Sequence, residues 1–168
     1  MRVLVISDTH GYLETTRQVI RERGPWDHII HLGDSVLDAV ELAADLGVDI
    51  TTVRGNNEYP GAPDTNDVLV FDVGPARFYA IHGHELDINP YAGDDRMEEN
   101  LKEIAKKAKQ AGAKTALFGH THQPLIKELD GVLLVNPGGM GLGDKRKTCA
   151  AIEVEESGSI NAELMEME

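Results

Sequence analysis

Five short apolar runs in this chain each lead, within two intervening residues, into an aspartate, asparagine or histidine. Val3-Leu4-Val5-Ile6 precedes Asp8-Thr9-His10, and Ile29-Ile30-His31-Leu32 precedes Gly33-Asp34. Ile50-Thr51-Thr52-Val53 precedes Gly55-Asn56-Asn57-Glu58, and Phe78-Tyr79-Ala80-Ile81 precedes His82-Gly83-His84. The fifth, Ala116-Leu117-Phe118, precedes Gly119-His120-Thr121-His122. Runs of this length bounded by glycine and polar residues read as buried strands. Oxygen and nitrogen donors gathered where strands end suit hard and borderline divalent metals, on a site assembled from loops.

The segments between the runs set the fold class. Residues 13–23 have helical character and stop at Gly24-Pro25; Val36, Leu37, Val40, Ala43 and Ala44 give a helical face that ends at Gly47. The first third therefore reads βαβαβ, with parallel strands and right-handed crossovers. Later, residues 68–73 and 77–81 flank Gly74-Pro75 as an antiparallel pair. Residues 95–111 form the best helix, with acids at its start and lysines at its end. Strands follow over 115–118, 125–129, 132–135, 148–154 and 160–165, with hairpin turns at Asp130-Gly131 and Ser157-Gly158. So many strands exceed one small sheet, and two packed sheets flanked by helices are the economical α/β arrangement. The loops 59–66 and 136–147, rich in proline and glycine, read as rims of a site rather than domain boundaries.

At 168 residues, 41% hydrophobic and 27% charged, the chain fits one folded domain over residues 1–168. No apolar run approaches the roughly 20 residues of a membrane-spanning helix, and Asp8 and His10 cut the first run too short for a secretory signal. Cys149 is the only cysteine, so a reducing, cytoplasmic setting is expected. With 16 Lys and Arg against 29 Asp and Glu, the net charge is −13, which disfavours nucleic acid as a partner. A small anionic substrate remains compatible, because bound cations would offset the charge locally. The sequence leaves self-association into a homo-oligomer open.

Each motif has a plainer reading. On an extended segment Asp8 and His10 would point to one side and reach one ion, but Asp-Thr-His can equally be a turn with a capping aspartate. Asp34 can cap the following helix, and Gly-Asn is a common turn pair. His28 and His31 fit structural roles. That bland reading fits poorly for five histidines at three strand ends. Arg54 stands next to Gly55-Asn56 as a possible phosphate contact, whereas Lys145, Arg146 and Lys147 read as a solvated basic turn. Cys149 and Trp26 read as packing residues.

The ordered series Asp-x-His, Gly-Asp, Gly-Asn-x-Glu, His-Gly-His and Gly-His-Thr-His, with Asn136-Pro137-Gly138 downstream, resembles the calcineurin-like metallophosphoesterases. It is most similar to their small single-domain phosphodiesterase branch in bacteria and archaea. The resemblance implies a four-layer α/β/β/α sandwich with a two-metal centre. One ion would be held by Asp8, His10, Asp34 and His122, the other by Asp34, Asn56, His82 and His120, with Asp34 bridging. It implies hydrolysis of a small phosphoester by a hydroxide shared between ions about 3.5–4 Å apart. Manganese is the first expectation for the metal, and nickel, iron, zinc and cobalt also suit an all-oxygen and nitrogen site. His84 would orient a substrate or water, or bond to a neighbour.

Asn57 is the departure. Many members carry a histidine there, which is thought to protonate the leaving group. Asn57 cannot act as an acid, and Glu58 loses the role of steering such a histidine. The expectation therefore moves to phosphodiesters and esters with good leaving groups. The alternatives are a phosphomonoesterase acting on a nucleotide or sugar phosphate, and a non-catalytic scaffold like the retromer subunit.

Overall fold

The structure is a computed structural model and describes residues 1–86, 88, 91 and 93–167. The first sheet holds β1 (Arg2–Ile6), β2 (His28–His31), β3 (Ile50–Thr52), β9 (Lys147–Val154) and β10 (Ile160–Met167) in the order β10-β9-β1-β2-β3. The second holds β4 (Val68–Val73), β5 (Ala76–Ile81), β6 (Thr115–Leu117), β7 (Leu125–Leu129) and β8 (Val132–Asn136) in the order β4-β5-β6-β8-β7. Helices α1 (Glu14–Arg23) and α2 (Val36–Leu46) cross over between β1, β2 and β3, which pair in parallel as the βαβαβ pattern requires. Helix α3 (Asp94–Gln110) covers the second sheet.

Strand periodicity decides which layer each residue joins. In β1, Val3 and Val5 enter the core between the sheets beside Ile30, Phe78, Leu117 and Ile152, while Leu4 and Ile6 face α1 and α2 with Val19 and Leu42. On the far side Leu101, Ile104, Ala105 and Ala108 of α3 close over Tyr79, Ala116 and Leu134. The result is the expected four-layer α/β/β/α sandwich with three buried seams. Phe78 and Phe118 are at most 1% exposed, and burial of a side chain of that size stabilises the fold by about 1.5–3 kcal/mol.

Turn chemistry explains the connections. Asp130 and Gly131 both take positive φ, +52° and +76°, as a two-residue hairpin between twisted strands demands. Gly47 ends α2 in the left-handed conformation, at φ +65°. The parallel strands β1, β2, β5 and β6 all send their carboxyl ends to one side of the sandwich, and the polar motifs follow there. No helix of the described residues is long and apolar enough to cross a membrane.

Candidate metal centre

Asp8 and His10 converge by a route other than the expected strand alternation. Both take left-handed backbone, φ +55° and +47°, in a turn where the Tyr12 N–H donates to the Thr9 carbonyl at 2.9 Å. Asp34, His120 and His122 share this conformation, at φ +54°, +67° and +56°. Non-glycine residues there each cost on the order of 1–3 kcal/mol and persist only where the surroundings over-determine them. Here the loops tie one another down: Asp8 N–H donates to Gly33 at 3.1 Å, Gly119 N–H to His82 at 2.8 Å, and His120 N–H to Asp8 Oδ2 at 3.1 Å.

The motif glycines make that approach possible. A Cβ on Gly55 would collide with the Asp34 carboxylate and backbone nitrogen, and one on Gly119 with the Ser7 hydroxyl. Glu58 takes over where steering a histidine has lapsed: its carboxylate accepts the N–H groups of Val36, Gly55 and Asp34 at 2.6, 2.7 and 3.2 Å. It thereby binds the Gly-Asp and Gly-Asn loops into one unit.

Two groups of donors result. In the outer group, Asp8, His10 and His122 bring their donor atoms within 4.8 Å of one another. In the inner group, Asp8, Asp34 and His82 do the same, all buried. His122 Nε2 is 3.4 Å from Asp8 Oδ1, His82 Nε2 is 3.3 Å from Asp34 Oδ1, and His10 Nε2 is 3.7 Å from Asp34 Oδ2. Asn56 Oδ1 lies 3.1 Å from His82 Nε2, and the His120 ring stands 5.1 Å from that of His82. All seven expected ligands are therefore gathered. His84 lies 6.4 Å from the His120 ring, and its Nδ1 is 3.7 Å from Glu85.

The electrostatics of these donors favour a cation among them. Asp8 Oδ1 is buried and finds no hydrogen-bond partner among the described residues, and burial pushes the Asp8 carboxyl above its ordinary value. An orphaned carboxylate oxygen between imidazoles is suited to a cation. Burial opposes charge on Asp34 too. The hydrogen bond and charge of His82 and both hydrogen bonds from Asn57 outweigh it, so that carboxyl stays far below the usual range. Burial likewise opposes protonation of His82, yet its bond to Asp34 and the two nearby carboxylates push it up to about 9. A proton on His82 sits where the two carboxylates favour positive charge.

Several contributors carry no sequence signal. His31, fully buried, accepts the Gly33 N–H at Nδ1 and meets the Thr9 hydroxyl at 2.9 Å, and that hydroxyl donates to Asp38 at 2.6 Å. Asp144 meets His122 Nδ1 at 2.7 Å. Arg54 does not reach towards the donors: its guanidinium pairs with Asp67 at 2.9 Å and Asp64 at 3.6 Å. Beside the outer group opens a cleft of about 760 Å3, lined by His10, His120, His122, the loop 141–144, Ile88 and Tyr91.

A family model for the calcineurin-like phosphoesterase superfamily domain matches residues 1–157. The chain belongs to that family. It is 33% identical to the probable metallophosphoesterase YsnB of Bacillus subtilis over 88% of this chain and 80% of that one. A phosphodiesterase of Methanocaldococcus jannaschii is 26% identical over 82% of this chain and 83% of its own. Among solved structures, zinc-complexed Vps29 from Entamoeba histolytica superposes with a TM-score of 0.72 over 99% of each chain at 20% identity, a likeness of fold. The family uses divalent metals, and the donor groups gathered here suit such ions.

Proposed function

We propose that this phosphoesterase hydrolyses phosphodiesters at a centre of two divalent ions, manganese first among the suitable metals. Asp8, His10, Asp34 and His122 would hold one ion, and Asp34, Asn56, His82 and His120 the other, with Asp34 shared. The observation that carries the metal reading is Asp8 Oδ1, buried without a hydrogen-bond partner among the described residues and ringed by imidazoles. Bound divalent ions would supply acidified water and charge neutralisation at the phosphoryl group.

The chain's own residues favour the diester. Asn57 donates its N–H to Asp34 Oδ1 at 2.8 Å and its side-chain amide to Oδ2 at 2.9 Å, so it orients that carboxylate and has no acidic proton for a leaving group. Among the described residues that line the cleft none is Lys or Arg. A phosphomonoester brings about −1.5 to −2 charges at neutral pH and a diester only one, so the diester needs fewer cationic contacts. His84, at the edge of the donors, is the candidate to orient substrate or water.

The test is hydrolysis of bis(p-nitrophenyl) phosphate with added manganese or nickel. Turnover should be metal-dependent and absent in Asp34→Ala; equal rates for wild type and Asp34→Ala would overturn the enzyme reading. The likeness to Vps29 supports a second reading, a binding scaffold, which expects bound metal without turnover on any phosphoester. A phosphomonoesterase would instead favour p-nitrophenyl phosphate and gain from Asn57→His.

A further inference from the structure

Histidines that hold metals need their second nitrogen fixed, and His82 and His122 have theirs fixed differently. In the inner group His82 Nδ1 meets the Leu32 carbonyl at 2.6 Å, a neutral partner. In the outer group His122 Nδ1 meets the Asp144 carboxylate at 2.7 Å. A carboxylate accepts and cannot donate, so the proton stands on Nδ1 and the Nε2 lone pair is directed at the space beside Asp8. Asp144 is itself held: Gly141 N–H donates to its Oδ2 at 2.9 Å, and its own N–H returns to the Gly141 carbonyl at 3.2 Å.

The glycine-rich loop before Asp144 is shaped around this contact. A Cβ on Gly139 would collide with the Asp144 carboxylate and come within 2.6 Å of His122 Nδ1. One on Gly141 would press the Asp8 carbonyl at 3.1 Å and His10 at 3.4 Å. The loop is pinned to the sheet by Met140, fully buried, whose N–H donates to Ser7 at 3.2 Å, and by Thr148 N–H donating to Gly139 at 3.1 Å. Glycines 139 and 141 therefore leave the room that a carboxylate needs to reach a histidine from 22 residues away.

Building on the two-metal reading, we infer that Asp144 is a positioning residue for the outer ion alone, acting through His122, and that the 138–143 loop delivers it. The two metal positions are then inequivalent by construction. The outer one depends, through His122, on an anionic partner carried by a loop that also forms the cleft wall, whereas His82 at the inner one is held by a backbone carbonyl.

Zinc titrated into the metal-free full chain against a chromogenic chelator tests this, with cobalt(II) absorption reporting the coordination of each position. Wild type should take up two ions in separable steps. In Asp144→Ala one step should weaken by about 10–100-fold, the usual effect of removing such a partner, while the other stays as in wild type. Asp144→Asn keeps an oxygen that accepts from Nδ1 and should recover part of the loss. The cobalt band of only one position should shift. Two unchanged steps in Asp144→Ala, or equal weakening of both, overturn the inference while leaving the two-metal reading intact. A wild type that binds no zinc overturns that reading, and the inference with it. Should Asp144→Ala fail to fold, judged by its circular dichroism, Asp144→Asn decides: a selective partial loss supports the inference and unchanged affinity sinks it.

Discussion

The inner and outer halves of the centre use the same kinds of side chain and hold them in opposite ways. Asp34 and His82, the buried members of the inner half, are at most 1% exposed, and their donor atoms are tied to an amide, a carbonyl or each other. His10 and His122 are about one-third exposed at the side chain, stack on each other at 5.4 Å and border the cleft. Asn57 and the Leu32 carbonyl hold Asp34 and His82, and one aspartate on a glycine-rich loop holds His122. A site that must keep its metals and also admit substrate benefits from that division, because preorganisation and access conflict in any single ligand set.

The largest effect should come from cutting the clasp under the inner half. Glu58 gathers three backbone N–H groups, and hydrogen bonds to a charged acceptor contribute about 1.5–3 kcal/mol each, not additively. Glu58→Ala should therefore destabilise the metal-free protein by about 3–5 kcal/mol in urea unfolding. Loss of metal affinity should follow at the inner position first. A cost below about 1 kcal/mol would mean that the Gly-Asp and Gly-Asn loops hold each other without it.

A pH-dependent term of somewhat smaller size lies beneath the same half. Burial pushes His31 down to about 4, against an ordinary value of 6.5. The folded state thus refuses a proton that the unfolded state accepts, so this contribution is fully present above pH 6.5 and is lost as pH falls from there towards 4. At about 1.36 kcal/mol for each unit, the loss over the window is up to roughly 3 kcal/mol. Urea unfolding of the chelator-treated protein at pH 7 and pH 5 should give a steeper decline in wild type than in His31→Gln. Parallel declines would assign the acid sensitivity to other groups.

How much of this was legible in the sequence follows from the range of the forces involved. Strand and helix positions were readable from Val3 to Ile160 because period-2 and helical patterns, with turn residues such as Asp130-Gly131, are local signals. The strand-end donors are legible because they recur after strands, and the choice of seven among them as candidate ligands comes from the family resemblance. Their backbone conformation is not legible: five of the seven sit at positive φ, which depends on loops from different strands bonding to one another. Asp144 was invisible for a related reason. It is one acid in a glycine-rich loop, with no spacing that links it to His122 until the chain folds. Glu58 stands out in its motif, but its clasp needs the approach of Asp34 from 24 residues upstream.

The smallest expected effect falls outside both halves. Adjacency to Gly55-Asn56 offers Arg54 as a phosphate contact, yet its guanidinium is drawn to Asp67 and Asp64. Exposed ion pairs of this kind are weakly bound and screened by salt. Arg54→Ala should therefore leave turnover of an activated diester within about twofold of wild type, at low and physiological ionic strength alike, since removing a rim charge already neutralised by its neighbours changes little at the centre. A fall of about tenfold or more, growing as salt is lowered, would mean that Arg54 releases its partners when substrate binds. The cationic contact missing from the cleft lining would then come from the inner side, and the division between a fixed inner half and an adaptable outer half would have to be redrawn around it.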